Sequence, residues 1–379
     1  MAVFYAGYLS VTGVHLPFFP VWLEYRGLTP TEIAICLSVP MFMRVVATPI
    51  GAHFADRAPN RRFAIRILVG VGVFLWLFAD LATGFWPILL VTVAAFTFWG
   101  MALPAAEALT LTGVRQFGLH YGRMRLYGSA SFIAANVGSG LLLTHFFGPG
   151  AIYWLLLGVL ILSLAVSITL PVTPRAIRAR DNAERPEPVS ARAVLGHPVF
   201  VAVLVGAGLI QASHSQLYNF GSIYWQSRGF SAGEIGTLWA VGTAAEIVLF
   251  AVVGAAPKRV DALMLISAGG IAAIVRWLLF LLEPGLGPTF FMQLLHALSF
   301  GATFIGVQKA ITDRVPDEIT ASAQGLNIIV TGGSMAVASL LSGLLYERLG
   351  VYAFAVMAIP AAAGLLFLVA WRPPRATPA

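Results

Sequence analysis

Charge is what this chain has least of. Only 10% of its 379 residues are Asp, Glu, Lys or Arg, against about a quarter in ordinary soluble domains. A soluble enzyme of that make-up would lack the polar surface to cover itself. The single cysteine, Cys36, excludes an internal disulfide scaffold. A hydrophobic content of 59% excludes a disordered or fibrous chain. No Gly-x-x-x-x-Gly-Lys-(Ser/Thr) loop occurs, so nothing points to ATP hydrolysis. Gly-x-Ser-x-Gly elbows, histidines at metal-ligand spacing and ladders of intramembrane arginine are missing too. No enzyme activity, cofactor or metal is expected.

What remains is apolar and periodic. A helix needs roughly 20 residues to cross about 30 Å of hydrocarbon, and apolar runs of that size recur twelve times, from 2–23 to 350–371. Gly and Pro punctuators such as Phe147-Gly148-Pro149-Gly150 and Glu283-Pro284-Gly285 separate them. The first run has no basic stretch before it and reads as a retained helix, not a cleaved signal. The longest polar stretch follows the sixth run. The expectation is an all-α membrane protein with an N-terminal six-helix bundle over 1–171, a cytoplasmic linker over 172–197 and a C-terminal six-helix bundle over 198–379.

Basic residues are retained on the cytoplasmic side of a membrane. Alternate connections and the C-terminus together hold eighteen Lys and Arg, the opposite connections only Arg26, Arg228 and Arg348. Both termini are therefore expected in the cytoplasm, with the chain multi-pass in an inner or plasma membrane. The net charge of +7 is a topology code and implies no nucleic-acid partner.

The two halves resemble each other. Arg26-Gly27-Leu28-Thr29-Pro30-Thr31-Glu32-Ile33 recurs as Arg228-Gly229-Phe230-Ser231-Ala232-Gly233-Glu234-Ile235, an offset of 202. The same offset places Glu107-Ala108-Leu109-Thr110 on Lys309-Ala310-Ile311-Thr312, and one further residue aligns Ser139-Gly140-Leu141-Leu142 with Ser342-Gly343-Leu344-Leu345. Three matches in one register indicate a tandem duplication. That register also pairs Arg44 with Glu246.

An ionisable side chain at the bilayer centre costs about 2.5–3.5 kcal/mol on insertion scales, so each one needs a partner or a wet cavity. At 1.5 Å per residue, Glu246 and His214 both lie roughly 18 Å below the outer surface, with His15, Arg276 and His296 in a shallower layer. Glu246 is the principal candidate for loading and releasing a proton, because a low-dielectric site disfavours its ionised form. His214 at matching depth is placed to share or relay that proton. Glu107, near Pro104, is a second proton or gating candidate and a possible partner of Arg44. The plain alternative is that these groups only lock helices together.

A run of Gln211, Ser213, His214, Ser215, Gln216, Tyr218 and Asn219 on the seventh helix suits a cavity wall better than a lipid face. Gln293 and His296 lie three apart and share a face of the tenth. His15 lies on the first helix and Arg44 on the second. With Gln211, Tyr218, Asn219, Gln293 and His296 they form the candidate substrate-binding set, Arg44 for an anionic group. Arg276 suits a carboxylate through its planar fork.

Gly51-Ala52-His53-Phe54-Ala55-Asp56-Arg57-Ala58-Pro59-Asn60-Arg61-Arg62 resembles the loop signature of the major facilitator superfamily, with Ala52 where a Gly is usual and an insertion of one residue. That resemblance implies a twelve-helix, two-bundle transporter working by alternating access, in which Asp56, Arg57 and Arg62 help latch the inward face. Tyr121-Gly122-Arg123-Met124-Arg125-Leu126-Tyr127-Gly128-Ser129 is similar to the entry of the fifth helix in the phenylpropionate permease family. Leu16-Pro17-Phe18-Phe19-Pro20, Arg276-Trp277 and His296-Ala297-Leu298-Ser299-Phe300 echo it in order. Arg125 joins Asp56, Arg57, Arg62 and Arg276 as a gating or structural residue. The resemblance also implies that the first, seventh and tenth helices line the cavity and that the ninth lies outside it, which makes Arg276 a brace of the C-terminal half, against Glu283, in place of a substrate contact. It further implies proton-coupled symport of a small organic solute, an aromatic carboxylate first and a nucleoside or sugar next, by a monomer. Proton-coupled efflux of hydrophobic compounds and a non-transporting membrane sensor stay open.

Overall fold

The computed structural model describes residues 1–172, 198–255, 260–315 and 320–370. Nearly all of the expected linker, with its arginines, lies outside the described residues, as do Lys258, Arg259, Arg372 and Arg375. Among the described residues the secondary structure is helical, without strands.

The first six apolar runs become α1 (Ala2–Tyr25), α2 (Pro30–Arg57), α3 (Arg61–Trp76), α4 (Phe85–Phe117), α5 (Tyr121–His145) and α6 (Ile152–Ser167). The seventh is a broken pair, α7 (Pro198–Ala212) and α8 (Ser215–Ser227). Then come α9 (Ala232–Ala255) and α10 (Ala262–Leu279). The tenth run is α11 (Leu286–Leu294), a π-helical turn over Ala297–Ala302 and α12 (Thr303–Arg314). The last two are α13 (Thr320–Leu349) and the pair α14 (Tyr352–Val356) and α15 (Ala358–Ala370). Ten of these runs are long and apolar enough to cross a membrane, and α2, bent by 47°, makes an eleventh. The twelfth, α3, has 16 residues and continues as turns to Leu81.

Local chemistry explains the boundaries. Thr29 caps α2 in a reciprocal box: its Oγ1 accepts from the Glu32 N–H at 3.3 Å and the Glu32 carboxylate accepts from the Thr29 N–H at 2.8 Å. The repeat copy folds the same way, Ser231 and Glu234 exchanging bonds of 3.3 and 2.7 Å at the start of α9. Two residues before each cap sits a glycine at positive φ, Gly27 at +81° and Gly229 at +84°, a conformation side chains resist. The duplicated octapeptide is thus one turn-and-cap device used twice.

Packing defines two compact units, Met1–Asp181 with Tyr218–Ala240, and Asn182–Leu217 with Val241–Ala379. In the first, Trp76 packs with Phe19, Trp22 and Phe96 at ring distances of 5.2–6.0 Å. The indole of Trp76 donates to the Tyr153 carbonyl at 3.3 Å. In the second, Phe280 stacks on Phe354 at 4.3 Å and the Trp277 indole donates to the Ser213 hydroxyl at 2.9 Å. Trp86, Leu90, Leu282 and Phe291 remain exposed, an outer apolar surface suited to lipid contact.

Candidate functional site

In the second unit a buried polar cluster forms where helices are interrupted. Between α7 and α8, the Ser213 and His214 N–H groups bond back to Leu209 and Gln211. Between α11 and α12 the π turn carries Ser299 inward, and such turns frequently occupy functional sites. Glu246 of α9 and Arg276 of α10 complete the set.

Arg276, only 1% exposed, organises it. Its guanidinium donates to Gln293 Oε1 at 2.5 Å, to His296 Nδ1 at 3.2 Å and weakly to Ser299 Oγ at 3.5 Å. Because a guanidinium only donates, His296 Nδ1 must accept, and the ring proton of neutral His296 sits on Nε2. That nitrogen faces the Glu246 carboxylate at 3.7 Å. His214 is fixed in the other tautomer. Its Nδ1 lies 3.2 Å from the carbonyls of Ile210 and Gln211, which only accept, so Nε2 is the acceptor and the Ser299 hydroxyl donates to it at 3.0 Å. The two imidazoles, with ring centres 5.7 Å apart, therefore present opposite faces to their neighbours.

The tautomers can be checked directly. Ser299→Ala removes the donor to His214 Nε2 but leaves the Ile210 and Gln211 carbonyls that hold the Nδ1–H, so the nitrogen-15 spectrum of histidine-labelled protein, with His214→Gln for assignment, should keep the same tautomer and change only in the Nε2 shift. A mixture of tautomers would show that the carbonyls alone do not set it.

Counting depth by residue puts His214 beside Glu246 and His296 higher up. The structure differs: the imidazole against Glu246 is that of His296, and His214 joins through Ser299. A uniform 1.5 Å rise does not hold across the break at residues 213–214 or through the π turn, so the register slips. Glu246 itself is held close, with Gly301 of the π turn near enough that an added Cβ would meet the Glu246 Cγ at 3.2 Å.

The remaining candidates are dispersed. Gln293 and His296 are bound up with Arg276. Gln211 donates to the Phe300 carbonyl at 3.1 Å, while its Oε1 and both polar atoms of Gln216 are buried with no hydrogen-bond partner among the described residues. Tyr218 packs against Trp239 at 5.9 Å, and Asn219 is buried. Arg276, read from the sequence as a brace against Glu283, has bonds here running to Gln293, His296 and Ser299.

In the first unit a cleft of about 700 Å³, its open mouth included, is lined by His15, Arg44, Phe96, Thr97 and Trp99 among others. His15 lies flat on Phe19 at 4.6 Å and edge-on to Phe96 at 4.3 Å. Among the described residues no carboxylate pairs with Arg44. Glu107 accepts instead from the Tyr121 hydroxyl at 3.0 Å. Arg125, one turn along α5, lies over the Tyr5 ring at 5.6 Å. The charged loop acts within this unit: Asp56 stands 3.8 Å from Arg61, and Arg62 and Arg66 donate to the Leu170 and Ile168 carbonyls at 3.1 and 2.9 Å, just beyond the end of α6. Cations there suit the negative end of a helix. Arg57 is exposed at the end of α2.

Sequence reading passes over Ser299, Thr97 and Trp99. Ser299 lies three residues after His296, close to one helical turn, a spacing that signals a shared face. Single Thr and Trp residues in apolar runs carry no such signal. Among the described residues no three His, Cys, Asp or Glu side chains gather as a metal site.

The sequence profile of the MFS_1 like family matches residues 1–356. The probable 3-phenylpropionic acid transporter of Escherichia coli (strain K12) is 29% identical over 365 residues, covering 95% of this chain and 94% of that protein. The maltose permease of Geobacillus stearothermophilus is 24% identical over 367 residues, 91% and 87% of the two chains. A solved mutant of the nucleoside transporter NupG superposes with a TM-score of 0.85 at 14% identity, over 98% of both chains.

Proposed function

This chain belongs to the MFS_1 like family, whose members are multi-pass membrane transporters and not enzymes, and on that premise we propose that it imports a small organic acid with a proton. The observation that carries the reading is the Glu246 carboxylate at 3.7 Å from His296, inside a polar cluster held by Arg276. A carboxyl in such a place is costly to keep charged and exchanges a proton as its surroundings change. In this reading Glu246 holds the coupling proton, the His296 Nε2–H faces the carboxylate left when that proton departs, and His214 belongs to the same proton-coupling set, tied to the cluster through Ser299. Glu107, hydrogen-bonded to Tyr121, is a gating or second proton group.

Arg44 is the group for the substrate anion, with His15 and Phe96 as an apolar wall. Similarity to a probable 3-phenylpropionic acid transporter supports an aromatic carboxylate over a nucleoside or sugar. The duplicated halves, 1–171 and 198–379, then work by alternating access in the inner membrane, as a monomer with both termini cytoplasmic. The skew of basic residues supports that orientation.

The test is uptake of 3-phenylpropionate by proteoliposomes with an acidic exterior. Accumulation should exceed that of protein-free liposomes and collapse with a protonophore. Uptake that only equilibrates, with or without the pH gradient, would mean a facilitator without proton coupling.

A further inference from the structure

The cleft of the first unit contains an arrangement that neither the polar cluster nor the family assignment accounts for. Thr97 Oγ1 and Trp99 Nε1 are buried with no hydrogen-bond partner among the described residues, and both residues line the same cleft as Arg44. Trp99 is 8% exposed. Its ring is pinned, stacked on Tyr8 at 4.1 Å while the Tyr8 hydroxyl donates to the Trp99 carbonyl at 3.3 Å. The indole N–H is therefore locked in place without an acceptor among the described residues, and buried polar groups left that way are rare and costly.

We infer that this cleft binds the carboxylate of a monoanionic ligand in a three-donor clamp made by Arg44, Thr97 and Trp99. An ionised carboxylate only accepts hydrogen bonds and offers about four lone-pair positions. A guanidinium fork, an indole N–H and a hydroxyl match that need, and no acidic residue lines the cleft to compete. Arg44 enters with no carboxylate partner among the described residues, so its charge is available to the ligand. A sugar or nucleoside brings no anion to match the Arg44 charge. Phe96 and His15 beside the clamp supply a surface for an apolar body. This deepens the organic-acid reading above and rests on it for the ligand class.

Isothermal titration calorimetry on the purified full chain, with 3-phenylpropionate and 3-phenylpropanamide as probes, tests the clamp. The parent should prefer the acid. Arg44→Gln should weaken acid binding by about tenfold or more and erase the preference over the amide. Trp99→Phe, which keeps the ring stacked on Tyr8, and Thr97→Val should each weaken the acid by about three- to tenfold. Thermal unfolding of each variant shows whether it is folded. Acid binding undiminished in both Trp99→Phe and Thr97→Val means the orphan donors serve only solvent, and overturns the clamp. Equal binding of acid and amide by the parent, or no binding of either, overturns it as well. Equilibrium binding needs no gradient, so loss of the clamp leaves Glu246-dependent proton coupling standing. Conversely, gradient-independent uptake with an intact clamp defeats only the proton reading.

Discussion

Glu246→Gln is expected to reduce pH-driven accumulation of substrate to the passive leak while leaving counterflow exchange at close to the parent rate. The amide has the size and shape of the carboxyl, so it fits beside Gly301 and still presents an oxygen toward His296 Nε2. Folding should therefore be unchanged. What the amide lacks is a titrating proton. In the proposed proton-coupled cycle, net uptake requires the carrier to return empty after releasing both substrate and proton. Exchange returns it loaded and moves no net proton. If Glu246→Gln accumulates substrate with the parent pH dependence, the proton is carried elsewhere, and Glu107 becomes the next group to test.

The second large effect belongs to Arg276, and it is one of stability. Arg276→Gln removes the guanidinium that satisfies Gln293, His296 and Ser299 and that lies over the Trp277 ring at 5.1 Å. Deleting the donor leaves buried acceptors unsatisfied, at a cost of about 1–3 kcal/mol for each one. The apparent unfolding midpoint in detergent should fall by about 5–15 °C. Arg276→Lys should recover little, because one ammonium cannot serve Gln293 and His296 along two directions as the fork does. The pair of variants separates geometry from charge. A midpoint within a degree of the parent for both would show that the network contributes nothing to stability.

Much of the molecule is legible in its order of residues. The duplication is visible in Arg26–Ile33 and Arg228–Ile235, and the fold shows why the pattern persists: Thr29 with Glu32 and Ser231 with Glu234 build the same cap after a glycine at positive φ. Such a device is local, so eight consecutive residues suffice to specify it. That Arg276 has partners inside the protein is also readable, since a lone arginine in an apolar run must find them there.

The neighbours of Glu246 are not readable in the same way. A depth count selects His214, whereas the folded chain puts His296 against the carboxylate and ties His214 to Ser299. The difference has a single cause. A break after Ala212 and a π turn at Ala297–Ala302 change the rise and rotation per residue, and no hydropathy pattern reports either. The orphan donors of Thr97 and Trp99 are hidden for another reason: whether a buried N–H or O–H has an acceptor depends on what other helices bring to it.

Hydropathy, charge asymmetry and the internal repeat are enough for an all-α, twelve-run membrane chain, because they follow from the cost of placing polar groups in hydrocarbon, which acts residue by residue. Which imidazole meets Glu246, which tautomer each carries, and which donors face the Arg44 cleft are decided only when the helices pack. Those are properties of distance and direction between residues up to about 85 positions apart, and one-dimensional order carries no information about them until the backbone has been bent into place.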